Sequence, residues 1–105
     1  MMTSIKVYPG EKRWRISIHG HAGYQPGNDP VCAAISAITF QLLNVLDDYQ
    51  GRGIVSDLSS EAIDGNFTAD FIVKAPTVWD VAWDVIKTGY MAIAESYPEN
   101  LVMDE

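Results

Sequence analysis

Residues 13–36, RWRISIHGHAGYQPGNDPVCAAIS, contain the pattern of a strand, then of a glycine-rich loop, and then of the beginning of a helix. Over residues 13–20 apolar side chains alternate with polar ones, which predicts a strand with one buried face. The glycines and the proline of residues 20–29 are typical of a loop. Pro30 fits the first position of a helix, and Asp29 before it fits the N-cap. The stretch therefore predicts a strand–loop–helix unit.

The remainder of the chain extends this unit in both directions. The other predicted elements are a strand over residues 5–8, a helix from Pro30 that ends at Gly51 and Gly53, strands over residues 54–60 and 66–74 around an Asp64-Gly65 turn, and a second helix from Pro76 to Pro98. We therefore expect an α+β fold in the order ββαββα. Its sheet would be four-stranded and mostly antiparallel, with the two helices on one face.

The second predicted helix has two apolar stripes side by side. One contains Val78 and Val85, and the other contains Trp79 and Trp83. A small domain cannot usually bury so wide an apolar face by itself. The tryptophans therefore either fill the core or form the surface of a homodimer.

Length and charge restrict the class of protein. A chain of 105 residues is sufficient for one domain, over residues 1–105. The net charge of −7 argues against direct binding of nucleic acid, which needs clustered Lys and Arg. We see no apolar run near the roughly 20 residues that span a bilayer, and no secretory signal. With a single cysteine, no internal disulfide can form, so we expect a cytoplasmic protein without membrane contact.

The loop and the helix start hold every cysteine and histidine of the chain, namely Cys32, His19 and His21. Cys32 would lie in the first helical turn, where unpaired N–H groups favour a thiolate and could form an oxyanion hole. A glycine-rich loop can bring His21 alongside it, as the general base for the nucleophile. Asp29 or Ser36 could then orient the imidazole or a developing oxyanion. These residues indicate covalent catalysis by a thiol.

Other interpretations of the same residues remain open. A single cysteine in a helix is often a buried, inert side chain. His19, His21 and Cys32 could instead bind a metal, because histidines two residues apart on a strand face the same way. A third possibility is a non-enzymatic adaptor that dimerises through Trp79 and Trp83.

The loop and helix start resemble a known family. The matching residues are GHAGY at 20–24, then Gly27, Asp29 and VCAAIS at 31–36. They are similar to the motif of the ribosomal-processing cysteine protease family, called Prp. The chain length, the element order and the Asp64-Gly65 turn also resemble that family, so the likeness covers nearly the whole chain. It implies a single cysteine-peptidase-like domain.

The resemblance implies a homodimeric peptidase that needs no cofactor and no metal. By position, Cys32 would be the nucleophile and His21 the base, with Asp29 and Ser36 as supporting residues. The loop would close over an extended peptide, and its glycines would let the main chain of the substrate approach. The substrate loop would consist of Gly20, Gly23, Tyr24 and Gly27.

The resemblance also implies a partner. Such enzymes remove a short N-terminal extension from a protein of the large ribosomal subunit, and phage-borne relatives are thought to trim capsid or scaffold proteins. Pro26 and Pro30 depart from the family pattern. Both would stiffen the junction between loop and helix and change which peptide is accepted.

Overall fold

The predicted strands and helices form one sheet and two helices in the computed structural model, which describes residues 2–105. The elements are β1 (Thr3–Pro9), β2 (Arg13–His19), α1 (Pro30–Gly51), β3 (Val55–Ile63), β4 (Asn66–Val73), α2 (Pro76–Ser96) and β5 (Leu101–Asp104). The α+β class and the order of the first six elements are confirmed. The sheet has five strands rather than four, because β5 follows the second helix.

The sheet has the strand order β3-β4-β2-β1-β5. Neighbouring strands are antiparallel except β1 and β5, which are parallel. In the antiparallel pairs Ile5 lies opposite Ile18 and Val7 opposite Ile16, so apolar side chains gather on one face. The sequence prediction missed β5 because its four residues show no pattern of their own. Pairing with β1 is what makes this segment a strand.

The helices α1 and α2 contact each other and cover the apolar face of the sheet. An aromatic cluster lies in this core, with the Trp79 ring 5.5 Å from Trp14 and 4.9 Å from Phe71 in edge-to-face geometry. Each such pair contributes about 0.5–1.5 kcal/mol beyond its buried area. Trp79 is 0% exposed and Trp83 is 4% exposed. The tryptophans therefore fill the core, and a homodimer surface built from them is wrong.

Helix α1 begins and ends where local signals place it. Pro30 occupies the first turn and Asp29 is the N-cap, as predicted. At the other end, the Arg52 N–H donates to Asp48 O, and Gly53 follows with a φ of +75°. Four apolar side chains of the helix are buried in the core, namely Val31, Ile35, Leu42 and Leu46.

Helix α1 is also long and apolar enough to span a membrane by length and composition alone, with a mean hydropathy of 1.4. From the sequence we expected no apolar segment of that length. The helix reaches it because no charged residue precedes Asp47 within it. In the most apolar stretch of 18 residues within this helix, 22% of the residues are buried inside the protein. Core helices of soluble proteins satisfy the same criterion, so it is weak evidence for a membrane span.

The predicted turn between β3 and β4 is present. Asp64 and Gly65 both have positive φ, at 42° and 82°, which is the backbone of a two-residue type I′ hairpin. The N–H of Gly20 donates to Gly65 O at 3.1 Å, so this turn is tied to the beginning of the loop after β2. The fold therefore brings the turn, the loop and the start of α1 to one place.

Candidate active site

Two neighbouring clefts meet at His21, Cys32 and Ser36, which line both of them. The loop cleft, of about 1120 Å³, is otherwise lined by residues 23–30 and by Ala33. The turn cleft, of about 310 Å³, lies between α1 and residues 62–67 around the β3–β4 turn. The predicted nucleophile, base and serine are therefore brought to a common surface.

The Cys32 thiol lies in the first turn of α1, half-buried at the edge of the core and in no disulfide. It opens into both clefts. Ser36 and Thr39 follow on the same flank of the helix and line the turn cleft with it, as helical spacing predicts. A reagent can therefore reach this thiol, unlike that of a cysteine enclosed in a core.

The carboxylate of Asp29 binds the loop and the helix together. Its Oδ1 accepts the N–H groups of Val31 and Cys32 at 2.9 and 3.1 Å. Its Oδ2 accepts those of Tyr24 and Gln25 at 2.9 and 3.3 Å. Partial desolvation acts to raise the pKa of Asp29, but these four donors outweigh it and hold the pKa below its usual range. With both oxygens engaged, Asp29 shapes the site and does not orient the imidazole directly.

Hydrogen bonds at the start of α1 also bear on the expected oxyanion hole. Pro30 has no N–H, and those of Val31 and Cys32 are taken by Asp29 Oδ1. The N–H of Ala33 donates to the backbone O of Asp29 at 3.0 Å. The first turn therefore has no unbonded N–H group, and the expectation that it supplies an oxyanion hole is wrong for this structure.

The backbone of His21 is held on both sides. Before it, the N–H of Gly20 donates to Gly65 O. After it, Ala22 is fully buried and its carbonyl accepts from the Asn100 side chain at 3.0 Å. The exposed imidazole projects between these two fixed points into the clefts. The sequence prediction missed Asn100, because nothing local connects it to a loop 78 residues away.

His19 is placed differently from His21. Strand β2 ends at His19, and Gly20 with a φ of +87° turns the chain, so the two imidazoles do not share a face as strand parity predicted. The ring of His19 bonds to Ser17 through Nε2 and to Asn66 Oδ1 through Nδ1 at 3.0 Å. It lines neither cleft. Within residues 2–105 no three His, Cys, Asp or Glu side chains converge as metal ligands, so the alternative metal site is not assembled.

The predicted substrate loop borders the clefts. Gly23, Tyr24 and Gly27 line the loop cleft, and Gly20 lines the turn cleft. The Tyr24 ring packs edge-on against Tyr97 with 5.3 Å between centroids. A side chain at Gly27 would have open space around it, since no atom lies within 4 Å. The loop is thus anchored at its two ends and open in its middle.

An accessible thiol and an imidazole at the junction of two clefts are the reactive groups of a cysteine peptidase. The chain belongs to the cysteine protease Prp family, whose sequence model matches residues 2–102. It is therefore a cysteine protease, as the loop motif indicated.

Solved structures share this fold. The chain is similar to the essential ribosomal processing protease Prp from S. aureus, solved with a covalently linked product peptide, at a TM-score of 0.74 and 21% identity over 98% of both chains. The same protein with a substrate peptide gives a TM-score of 0.68 and 20% identity over 98% of both chains. SMU.848 from Streptococcus mutans gives 0.63 and 20%, over 98% of this chain and 92% of that one. No curated relative matches the chain.

Proposed function

We propose that this cysteine protease removes a short N-terminal extension from a protein of the large ribosomal subunit, with Cys32 as nucleophile and His21 as general base. One observation carries the catalytic assignment: Cys32 and His21 line both clefts, whereas His19 lines neither. The other features of the site, a capped helix start and a loop anchored on both sides of His21, support the same pair.

The reaction follows from these two groups. The Cys32 sulfur attacks the carbonyl carbon of the scissile bond while its proton passes to His21, which gives a tetrahedral intermediate. The intermediate collapses as His21 protonates the leaving amine, and a thioester to Cys32 remains. Water, deprotonated by His21, then attacks the thioester and releases the carboxylate product and the thiol. No step uses a cofactor or a metal.

The supporting residues act in different ways in this proposal. Asp29 fixes the loop against the start of α1 and thereby places Cys32. Ser36, one turn further along the helix, lines both clefts. The first-turn N–H groups are already hydrogen-bonded, and Asp29 is an acceptor. Of the groups that the sequence indicated for stabilising the oxyanion, we therefore assign the donated hydrogen bond to the Ser36 hydroxyl.

The substrate assignment rests on the family and its relatives. The S. aureus protein of the same fold is a ribosomal processing protease and has been solved with a substrate peptide and with a covalently linked product peptide. A loop cleft of about 1120 Å³ has room for a peptide segment. Pro26 and Pro30 line it and would restrict which peptide binds. A phage capsid or scaffold protein is the alternative substrate.

The catalytic pair is tested by substitution. Cys32→Ala should abolish cleavage, and His21→Ala should lower kcat by about 10²–10⁴-fold, because proton transfer by a positioned base contributes that much. His19→Ala is a matched control, since it removes an imidazole two residues away that lines neither cleft. Circular dichroism should show that all three variants fold. Cleavage by Cys32→Ala at the wild-type rate would contradict the proposal.

The substrate is tested by direct comparison. The protein is incubated with the extended ribosomal protein of its host and, separately, with capsid or scaffold proteins encoded near its gene. Intact-mass spectrometry then identifies which one loses a segment and where. We expect cleavage of the ribosomal protein within its N-terminal extension. Cleavage of a structural phage protein alone would support the alternative.

We also propose a homodimer in the cytoplasm. Since the tryptophans are buried, the contact must use other apolar side chains, and Val81 and Val85 of α2 are 65% and 64% exposed one turn apart. Sedimentation equilibrium should give twice the chain mass, and the double substitution Val81→Asp, Val85→Asp should give the monomer. The single free cysteine suits a reducing compartment, and cell fractionation checks the location.

A further inference from the structure

The tip of the β3–β4 turn lies directly against the His21 imidazole. A methyl group at Gly65 would be 2.8 Å from Nε2, 2.9 Å from Cε1 and 3.4 Å from Cδ2 of that ring. Side-chain carbons do not approach other atoms below 3.0 Å, so the ring in its present position requires a residue without Cβ. The three atoms nearest to that position all belong to the His21 ring.

The three distances also define the direction of approach. A group in line with the Nε2–H bond would be much closer to Nε2 than to Cε1, and one at the outer edge of the ring would be far from Cδ2. Near-equal values to Nε2 and Cε1, with Cδ2 slightly further, place the missing methyl above the face of the ring. The turn thus supports the imidazole from its face and leaves the in-plane directions of both nitrogens open for proton transfer.

The same glycine holds the backbone next to His21. Its carbonyl accepts the Gly20 N–H at 3.1 Å, and Thr3 Oγ1 donates to the carbonyl of Gly20 at 3.1 Å. Movement of the turn would therefore move both the backbone that carries the imidazole and the surface that supports it. The contacts of Gly65 with Gly20 and with the His21 ring thus come from an element more than 40 residues further along the chain.

We propose that Gly65 is a positioning residue for the general base, which sets the orientation of the His21 ring toward Cys32. This inference rests on the proposed function, because it gives the imidazole its catalytic role. The exposed ring can swing away from an added methyl at little cost to the fold. A displacement of about 1 Å costs a reaction on the order of 10²-fold when proton transfer depends on geometry.

A substitution at Gly65 also strains the backbone, since its φ is +82°. Gly53 provides a matched control, because its φ is +75° and no atom lies within 4 Å of the position that a Cβ would occupy there. Gly65→Ala and Gly53→Ala therefore share the backbone strain, and only the first adds a group against the imidazole. Gly65→Asn and Gly53→Asn form a second pair with less strain, because Asn tolerates positive φ.

The experiment measures alkylation of Cys32 by iodoacetamide at about pH 6, where an isolated thiol is largely protonated and slow to react. We expect the rate to fall about tenfold in Gly65→Ala and to stay at the wild-type value in Gly53→Ala. In the His21→Ala background Gly65→Ala should have no further effect, because Gly65 acts through that ring. With a cleavable peptide, kcat should fall on the order of 10²-fold at unchanged KM.

The outcomes separate the two proposals. Equal rates in Gly65→Ala and Gly53→Ala, or the same fall with and without His21, would overturn the positioning role while the catalytic pair stands. Equal alkylation of the wild type and of His21→Ala would instead remove the pairing of Cys32 with His21, and with it the proposed mechanism. If Gly65→Ala does not fold, the two Asn variants decide the question in the same way.

Discussion

Asp29 accepts four backbone N–H groups with its two carboxylate oxygens, and its pKa lies below the ordinary value for that reason. Because the folded state binds this proton less readily than the unfolded chain, the stabilisation is complete above the unfolded pKa of about 3.9. It is lost as the pH falls through the lower, folded value. Asp29 therefore contributes fully at neutral pH.

Asp29→Ala should lower the Tm by several degrees at neutral pH, because the four donors lose their acceptor. Asp29→Asn keeps one acceptor oxygen and should lose less. The difference in Tm between the wild type and Asp29→Ala should stay constant from about pH 7 to about pH 5 and shrink below about pH 4. Thermal unfolding across this range is the measurement. A difference that already vanishes near pH 6 would be inconsistent with this role.

Residues recognisable by their local chemistry were predicted correctly. Asp29 before Pro30 identifies a helix start, and Asp64-Gly65 identifies a hairpin, because both depend only on neighbouring backbone. The relation of His21 to His19 was not predictable in this way. It depends on Gly20, whose positive φ is stabilised by contacts with distant strands.

Between the two helices, the hydroxyl groups of Thr39 and Tyr90 form a hydrogen bond of 2.8 Å. Tyr90 is fully buried, and burial raises its pKa to about 12, with the Thr39 bond acting weakly in the opposite direction. The folded protein therefore keeps a proton that the unfolded chain loses from about pH 10 upward. Stability should decrease as the pH rises from about 10 to about 12.

Tyr90→Phe should remove this part of the alkaline dependence. Two pKa units correspond to about 3 kcal/mol, which the wild type should lose relative to Tyr90→Phe as the pH passes about 12. Near pH 7 the variant should be about 1 kcal/mol less stable, since the Thr39 bond is absent. Tyr8→Phe changes a tyrosine that is 53% exposed and should keep the wild-type slope. Urea unfolding at each pH measures these differences, and parallel curves for Tyr90→Phe and wild type would rule out the effect.

Which face of a helix is buried was less predictable than the helix itself. The periodicity of α2 shows two adjacent stripes, and only contact with the sheet selects between them. The stripe with Trp79 meets Phe71 and is buried, whereas Val85 is exposed. Strand β5 was missed for a related reason, because pairing with β1 defines it and its sequence does not.

At the scale of the whole molecule, the C-terminal segment connects the edge of the sheet to the catalytic loop. The backbone carbonyl of Asn100 accepts the N–H of Thr3 at 2.9 Å, which begins the parallel pairing of β1 with β5. Its side-chain amide donates to the carbonyl of Ala22, the residue after His21. One residue thus joins the last strand, the first strand and the loop. We infer that the pairing of β5 with β1 at the edge of the sheet holds the site in place as much as the loop itself does.

This connection predicts a specific effect of Asn100→Ala. The backbone pairing should persist, so the loss of stability should be about 1 kcal/mol, the value of one hydrogen bond. Cleavage should fall further than stability, because the freed loop lets the His21 ring leave its place over the turn, and tenfold in kcat is the order expected. Glu99→Ala is the control, since it changes an exposed neighbour in the same segment. Unfolding and steady-state kinetics on the same preparations provide both values. Wild-type kcat in Asn100→Ala would mean that buried Ala22 and the Gly20 contacts hold the base without help from the C-terminal segment.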